Sequence, residues 1–257
     1  MSTEFKWVSK DFDLMYETCA SDDAVRLTIK YIPSKLARVL EAGSGTGRVV
    51  KYLYDKGYKK VEGIELNRAA VKSFNKKFPK IKVIQGDILK MPYKSASFDL
   101  IASYGVVEHF IPGLEGPLEA FRKSLKKGGI LIASVPSMNI IRRIVYYIDQ
   151  LLDKTKFHVS GARNKGRYYI HPQFGPFFEY RLTPKEFISA AKKAGFSIVE
   201  SVPIYHMDGL YHIFGEKLVK YIDYNFYPTV FGDLVNKVLW KIPFAHNHMH
   251  MLILRKP

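Results

Sequence analysis

The stretch Val39–Arg48, VLEAGSGTGR, places Gly43, Gly45 and Gly47 directly behind an apolar run. A glycine inside a helix or strand costs roughly 0.5–1 kcal/mol relative to alanine, so three in five residues rule out either element here. Before them, ARVLEA (37–42) is a short apolar run of the kind that forms a buried strand. After them, RVVKYLYDK (48–56) reads as a helix stopped by Gly57. Strand, bare turn, helix is a geometry that holds a polar or anionic ligand at a helix N-terminus.

The alternation continues along the chain. KVEGIEL (60–66), IKVIQGD (81–87), FDLIASY (98–104) and ILIASVP (130–136) read as strands. Between them lie RAAVKSFNKKF (68–78), with Asn67 as its N-cap, and LEAFRKSLKK (118–127), closed by Gly128 and Gly129. Further on, TPKEFISAAKKAGF (183–196) carries a capping box, with Thr183 at the cap, Pro184 first in the helix and Glu186 closing the box. FSIVESVPIY (196–205) and HMHMLILRK (248–256) complete the strands. Strands alternating with helices predict an α/β fold: a parallel sheet with helices on both faces.

Residues 137–182 and 206–247 are too long to be simple connections. The first opens with MNIIRRIVYYIDQLL (138–152), whose isoleucines and leucines form one helical stripe. A loop carrying Lys154, Lys156, Arg163, Lys165 and Arg167 comes next. The second holds YHIFGEKLVKYI (211–222) and VFGDLVNKVLWKI (230–242), both read as amphipathic helices. The expected organisation is one domain over 1–257, with both segments as cap insertions beside the ligand crevice.

Composition bounds the function. Of 257 residues, 47% are hydrophobic and 14% aromatic, enough for a sizeable core. No apolar run approaches the roughly 18 residues a membrane span needs, and MSTEFKWVSKDFD lacks a signal-peptide core, so a cytoplasmic protein is expected. Cys19 is the single cysteine, which excludes an internal disulfide and a cysteine metal cluster. Forty Lys and Arg against 24 Asp and Glu give a net charge of +16. That balance suits anionic partners, or solvated helix faces alone.

The glycine turn fails two nucleotide motifs. A Gly-x-Gly-x-x-Gly fingerprint would need glycine at Arg48 or at Val50, and the turn lacks a Gly-Lys-Ser/Thr ending. Its actual pattern is acid-x-Gly-x-Gly-x-Gly, from Glu41 to Gly47. Glu65 ends the second strand, Gly86-Asp87-Ile88 ends the third, and FDLIASYGVVEHF (98–110) carries Glu108-His109 after the fourth. In these features the chain resembles the class I S-adenosylmethionine-dependent methyltransferases, closely over 35–136 and more loosely over 183–205. The resemblance implies a Rossmann-like seven-stranded sheet of order 3-2-1-4-5-7-6 with strand 7 antiparallel. It implies S-adenosyl-L-methionine as cofactor. Glu41, Gly43, Ser44, Gly45, Gly47, Leu66, Ser103 and Tyr104 would line its site. Glu65 would accept from the ribose hydroxyls, Asp87 and Ile88 would meet adenine, and Tyr16 would fold over the cofactor. Charged acceptors make the stronger hydrogen bonds, which suits Glu65 and Asp87 to those tasks.

The acceptor is less constrained, because fold does not imply substrate. The position after the fourth strand reads SYGVVEHF instead of the Asn/Asp-Pro-Pro-aromatic motif of enzymes that methylate base amines. Cys19 precedes the first strand and cannot serve cytosine-type chemistry. The pattern most resembles small-molecule methyltransferases of the quinone-biosynthesis type, so the expected acceptor is a small amphiphilic or anionic molecule. His109 is the candidate catalytic residue. Arg142, Arg143, Tyr180, Arg181, Tyr205 and His206 are the candidate acceptor-binding residues; His171 and His212 lie in the same segments. His246, His248 and His250 alternate, so on a strand they would share a face, but no nearby acid completes a zinc set and no metal is expected. Contact with an anionic membrane and a homodimer are two further uses of the apolar stripes; a nucleic-acid partner is not expected. The rival readings are an RNA or protein methyltransferase and a non-catalytic protein that keeps the fold.

Overall fold

Five strands run β1 (Val39–Ala42), β2 (Val61–Glu65), β3 (Lys82–Gln85), β4 (Phe98–Tyr104) and β5 (Leu125–Pro136), joined later in the chain by β6 (Ser197–Ile204) and β7 (Met249–Arg255). They form one seven-stranded sheet of order β3-β2-β1-β4-β5-β7-β6 in this computed structural model, which describes residues 11–111, 113–151, 163–165, 168–170 and 179–257. β1 pairs parallel with β2 and β4, β2 with β3, and β4 with β5. Gly128 N donates to Lys256 O (2.8 Å), and Ser137 N donates to His248 O (2.8 Å), so β7 runs against β5. The fold class is the one the sequence implies.

Parallel register decides where chemistry can sit. Val39 pairs with Val61 and with Leu100, and Glu62 with Lys82, so the carboxyl ends of β1, β2, β3 and β4 share one edge. The helices between them are α3 (Arg48–Asp55), α4 (Arg68–Lys77) and α5 (Glu115–Ser124), preceded by α1 (Phe12–Glu17) and α2 (Asp23–Tyr31). Asn67 caps α4, its side chain accepting from Ala69 N (2.9 Å) and Ala70 N (3.0 Å). Each helix buries an apolar face: Val49, Val50 and Leu53 on α3, and Leu118 and Phe121 on α5, each no more than 2% exposed.

The chain groups into two compact units. One comprises residues up to Ser134 with Ile188–Glu200 and Leu252–Pro257; the other comprises Val135–Phe187 and Ser201–Met251. Both expected insertions fall in the second unit. Its helices are α6 (Ile140–Leu151), α7 (Pro184–Lys193, which continues into the first unit), α8 (His206–Phe214) and α9 (Val230–Leu239). The capping box of α7 forms as read: Thr183 N donates to Glu186 Oε2 (2.9 Å) and Glu186 N to Thr183 Oγ1 (3.3 Å).

Two expectations are corrected. The residues 211–222 are not one helix: α8 ends at Phe214, and Val219–Ile222 pairs antiparallel with Asn225–Pro228. Asp223 and Tyr224, the two loop residues, both have positive φ (49° and 61°), the signature of a type I′ hairpin turn. Likewise Leu125–Lys127 belong to β5, not to the helix before it, because Phe98 pairs with Leu125 across a bulge.

Candidate cofactor site

A cavity of about 370 Å³ opens at the carboxyl ends of β1 to β4 in the first unit. Ligand pockets generally span about 300–1,000 Å³. Ten expected residues line it: Glu41, Gly43, Ser44, Gly45, Glu65, Leu66, Asp87, Ile88, Tyr104 and His109. Met15, Arg48, Asn67 and Phe110 are among the rest of its wall. Sequence reasoning passed over Met15, although it neighbours Tyr16.

The turn is built by three glycines with positive φ, at 81°, 53° and 78°. Only glycine adopts this region freely. A Cβ on Gly43 would run into Val106, and one on Gly47 would run into the Phe74 ring. A Cβ on Gly45 would meet nothing within 4 Å, because that side is the cavity. Gly45 therefore keeps room for a ligand, whereas Gly47 permits helix and turn to pack. Gly47 does not itself line the cavity.

Glu65 is fixed by two backbone donors, Gly45 N to Oε2 (2.7 Å) and Asn67 N to Oε1 (2.9 Å). A carboxylate offers about four acceptor positions, so one remains at each oxygen. Asp87 caps the short turn Ile88–Lys90 by accepting from Leu89 N (2.9 Å). Glu41 is 5% exposed, and Val50 N donates to its Oε2 (3.1 Å). Arg48, the nearest cation, bonds to Asp22 (2.9 Å) as well as Thr18 and Cys19. Burial thus prevails, pushing the Glu41 carboxyl up to about 8 despite Arg48 and the Val50 amide. Ser44 Oγ is buried against the cavity with no hydrogen-bond partner among the described residues.

Three expected residues stand elsewhere. Ser103 is wholly buried in β4 and is not among the lining residues, because successive strand residues face opposite ways and Tyr104 takes the cavity side. Tyr104 OH meets Thr28 Oγ1. Tyr16 turns away from the cavity, its hydroxyl donating to Asp55 (2.7 Å). Gly47 is the third.

The candidate acceptor residues lie in the second unit. The Arg142 guanidinium donates to Ser137 O (2.8 Å) and His248 O (3.2 Å) and bonds His248 Nδ1 (2.8 Å), so it ties α6 to the segment before β7. Arg143 is exposed. Arg181 pairs with Glu179 (3.3 Å) beside Tyr180. Tyr205 sits at φ 61° ahead of α8, and buried His206 packs on Trp240 with ring centroids 4.2 Å apart. His171 lies outside the described residues.

The three alternating histidines do not converge. His246 Nε2 meets Asn236 (2.8 Å), His250 Nε2 meets Ser201 Oγ (2.9 Å), and His248 meets Arg142. Burial lowers His246 and His250 to about 4. Asp208, His212 and His248 do bring ligand atoms within 4.8 Å of one another. Yet an arginine donating to His248 Nδ1 leaves the proton on Nε2, making that ring a donor and placing a fixed cation beside the group.

The residues fit the implied cofactor: three acidic side chains line the cavity, one buried hydroxyl awaits a partner, and a Cβ-free cradle faces it. Comparison with known proteins agrees. The family model described as "Methyltransferase domain" matches residues 40–133. A Mycolicibacterium smegmatis protein named a probable S-adenosylmethionine-dependent methyltransferase is 25% identical over 67% of this chain; the chain spans 56% of that relative's length. The ubiquinone/menaquinone biosynthesis C-methyltransferase UbiE of Campylobacter jejuni is 23% identical, covering 73% of this chain and 80% of that one. Among solved structures, the PH0226 protein of Pyrococcus horikoshii superposes with a TM-score of 0.62 at 15% identity over 98% of this chain and 94% of its own. A Haloferax volcanii chain from a complex of the Trm112 methyltransferase activator with a methyltransferase gives 0.62 at 14% over the full length of both. At such identities these structures speak for the fold alone. Glycine turn, acids, sheet order and family model converge: residues 40–133 carry a methyltransferase domain similar to those of the S-adenosylmethionine-dependent enzymes, and S-adenosylmethionine is the cofactor this implies.

Proposed function

We propose that this enzyme transfers the methyl group of S-adenosylmethionine to a small amphiphilic or anionic acceptor, in the cytoplasm, by in-line displacement that leaves S-adenosylhomocysteine. The observation that carries it is the convergence of Glu41, Glu65 and Asp87 on one cavity with His109 and Phe110 on its wall. When bound, the cofactor supplies an already activated methyl electrophile, so the protein's task is alignment and exclusion of water. Glu65, held by two amides, would take the ribose hydroxyls. Asp87 and Ile88 would take adenine, and Glu41 a cationic group. His109 is the candidate to receive an acceptor proton or to line the transfer pocket. The chain would work as one methyltransferase domain whose additions at about 137–182 and 206–247 serve acceptor choice. The names of relatives, UbiE and a demethylmenaquinone methyltransferase of Chlorobaculum tepidum among them, support a lipophilic small molecule.

A second reading, methylation of RNA, has one observation in its favour. Arg38, Lys59, Lys60, Lys80 and Lys82 surround Glu62 in a groove at the amino ends of β1 to β3. Phosphate contacts there would make RNA binding fall steeply with salt.

Incubation with isotope-labelled cofactor and fractionated cell extract separates these readings. Label in a small organic-soluble product supports the first. Label in RNA or protein refutes it, and absence of cofactor binding by folded protein points to a non-catalytic role.

A further inference from the structure

In the second unit, α9 is more apolar than its own packing requires. At 100° per residue, its apolar residues from Val230 to Leu239 cover an arc of about 180°, well beyond the stripe of about 100° that suffices to face one core. One half of the arc, Val235 and Leu239, packs with Leu210, Leu218 and Val219. The other half is open: Val230 is 94% exposed, Phe231 64%, Leu234 57% and Val238 58%. Lys237, ion-paired with Asp233 (2.7 Å), borders that open half, and Lys241 follows the end of the helix on the same side; both lysines are exposed. The adjoining hairpin, Val219–Pro228, exposes Tyr221, Ile222 and Tyr227, and Trp240, just past the end of the helix, is 60% exposed. Scattered exposed hydrophobic residues are normal on a protein surface, but a contiguous set of this size marks an interaction site.

We infer that α9 and the hairpin form a docking surface for an anionic lipid bilayer, with α9 lying in the plane of the headgroups. Three features select this occupant. Tyrosine and tryptophan around an apolar stripe, with lysines at its border, is the composition of an interfacial helix. Ten residues span only about 15 Å, half of a bilayer core, so the helix rests on the membrane and does not cross it. The charge of +16 draws the protein to an anionic leaflet, by about 1 kcal/mol for each lysine or arginine near the surface, and opposes the meeting of two copies. For its purpose the inference rests on the amphiphilic-acceptor reading, since such an acceptor resides in the bilayer. The binding test uses neither acceptor nor cofactor, so the two fail separately.

Co-sedimentation with phosphatidylcholine vesicles, with and without phosphatidylglycerol, tests it. The unsubstituted protein should sediment with the anionic vesicles. The double variant Leu234→Asp/Val238→Asp should bind about tenfold less or weaker still, with an unchanged circular-dichroism spectrum and cofactor affinity. In a Trp7→Phe background, Trp240 emission should shift to the blue on vesicle addition. Absence of vesicle binding overturns the inference, as does binding that the double variant leaves intact. A dimer dissolved by the same double variant, without vesicle binding, gives the surface to a second copy and equally overturns it.

Discussion

Glu41 offers a test read from pH alone. Its carboxyl is buried and accepts a hydrogen bond from Val50 N, and its nearest cation is bonded to Asp22. With a value near 8 in the ligand-free protein, it is a neutral acid at pH 7. A cation bound beside it favours the carboxylate, so binding must expel a proton. Each pH unit below the free-site value then costs about 1.4 kcal/mol, or tenfold in affinity. Between pH 8 and pH 6 the affinity for S-adenosylmethionine should fall by up to about a hundredfold, and above pH 8 it should level off. Isothermal titration from pH 6 to 9 reads this, and repeating it in buffers of different ionisation enthalpy counts the proton. Glu41→Gln keeps an oxygen for the Val50 amide but cannot ionise, so its affinity should be nearly flat, and any slope it keeps belongs to the ligand's own titration. A wild-type profile as flat as that of the glutamine variant refutes the reasoning. Stability supplies the opposite sign. A raised carboxyl contributes stability in full below its unfolded value, and this is lost as pH rises through the folded one. The ligand-free wild type should therefore lose about 2 kcal/mol relative to Glu41→Gln between pH 6 and 8, read from denaturant midpoints.

The other predictions concern placement. Glu65→Ala should weaken cofactor binding at least tenfold by calorimetry, because a charged hydrogen bond is worth about 1.5–3 kcal/mol and the Gly45 and Asn67 amides lose their acceptor. Both Gly45→Ala (φ 53°) and Gly47→Ala (φ 78°) should cost about 1 kcal/mol of backbone strain; Gly47→Ala should lose up to about 2 kcal/mol more through the Phe74 ring, whereas Gly45→Ala, with nothing within 4 Å, should add a loss of cofactor affinity. Equal thermal shifts in the two variants would contradict this division. Arg142→Ala should destabilise the fold by about 2–4 kcal/mol, because Ser137 O and His248 lose a charged donor. Arg143→Ala, at an exposed position, should leave the melting temperature within about a degree.

Much of the cofactor half was legible because its signals are local. Apolar runs of four to seven residues, bounded by Gly43, Asn67 and Gly105 and alternating with helical patterns, read as buried parallel strands, and strand ends fix which side chains meet. Face was harder. Ser103 and Tyr104 differ by one step on a strand, and Met15 and Tyr16 by one step on a helix; one residue of phase moves a side chain from cavity to packing layer. That phase is set by contacts such as Tyr16 with Asp55, far off in sequence. The Val219–Pro228 hairpin was missed because its type I′ turn is made by Asp223-Tyr224, without the glycine that marks such turns. Arg142 illustrates a different limit. Composition offered a free cation for an anionic acceptor, but its guanidinium is engaged by backbone carbonyls and an imidazole.

The physical sense of the cofactor site lies in its charge. Parallel register brings Glu41, Glu65 and Asp87, from the ends of three separate strands, to one concave wall. Arg48 also borders that wall, but its guanidinium bonds Asp22. Burial makes the Glu41 carboxyl costly to ionise, and Glu65 adds a smaller push in the same direction. A ligand that carries its own positive charge offsets that cost. A neutral or anionic nucleotide does not, and the absence of a phosphate-binding lysine from the glycine turn is consistent with that preference. The turn thus selects its ligand through the acids around it as much as through the space its glycines leave.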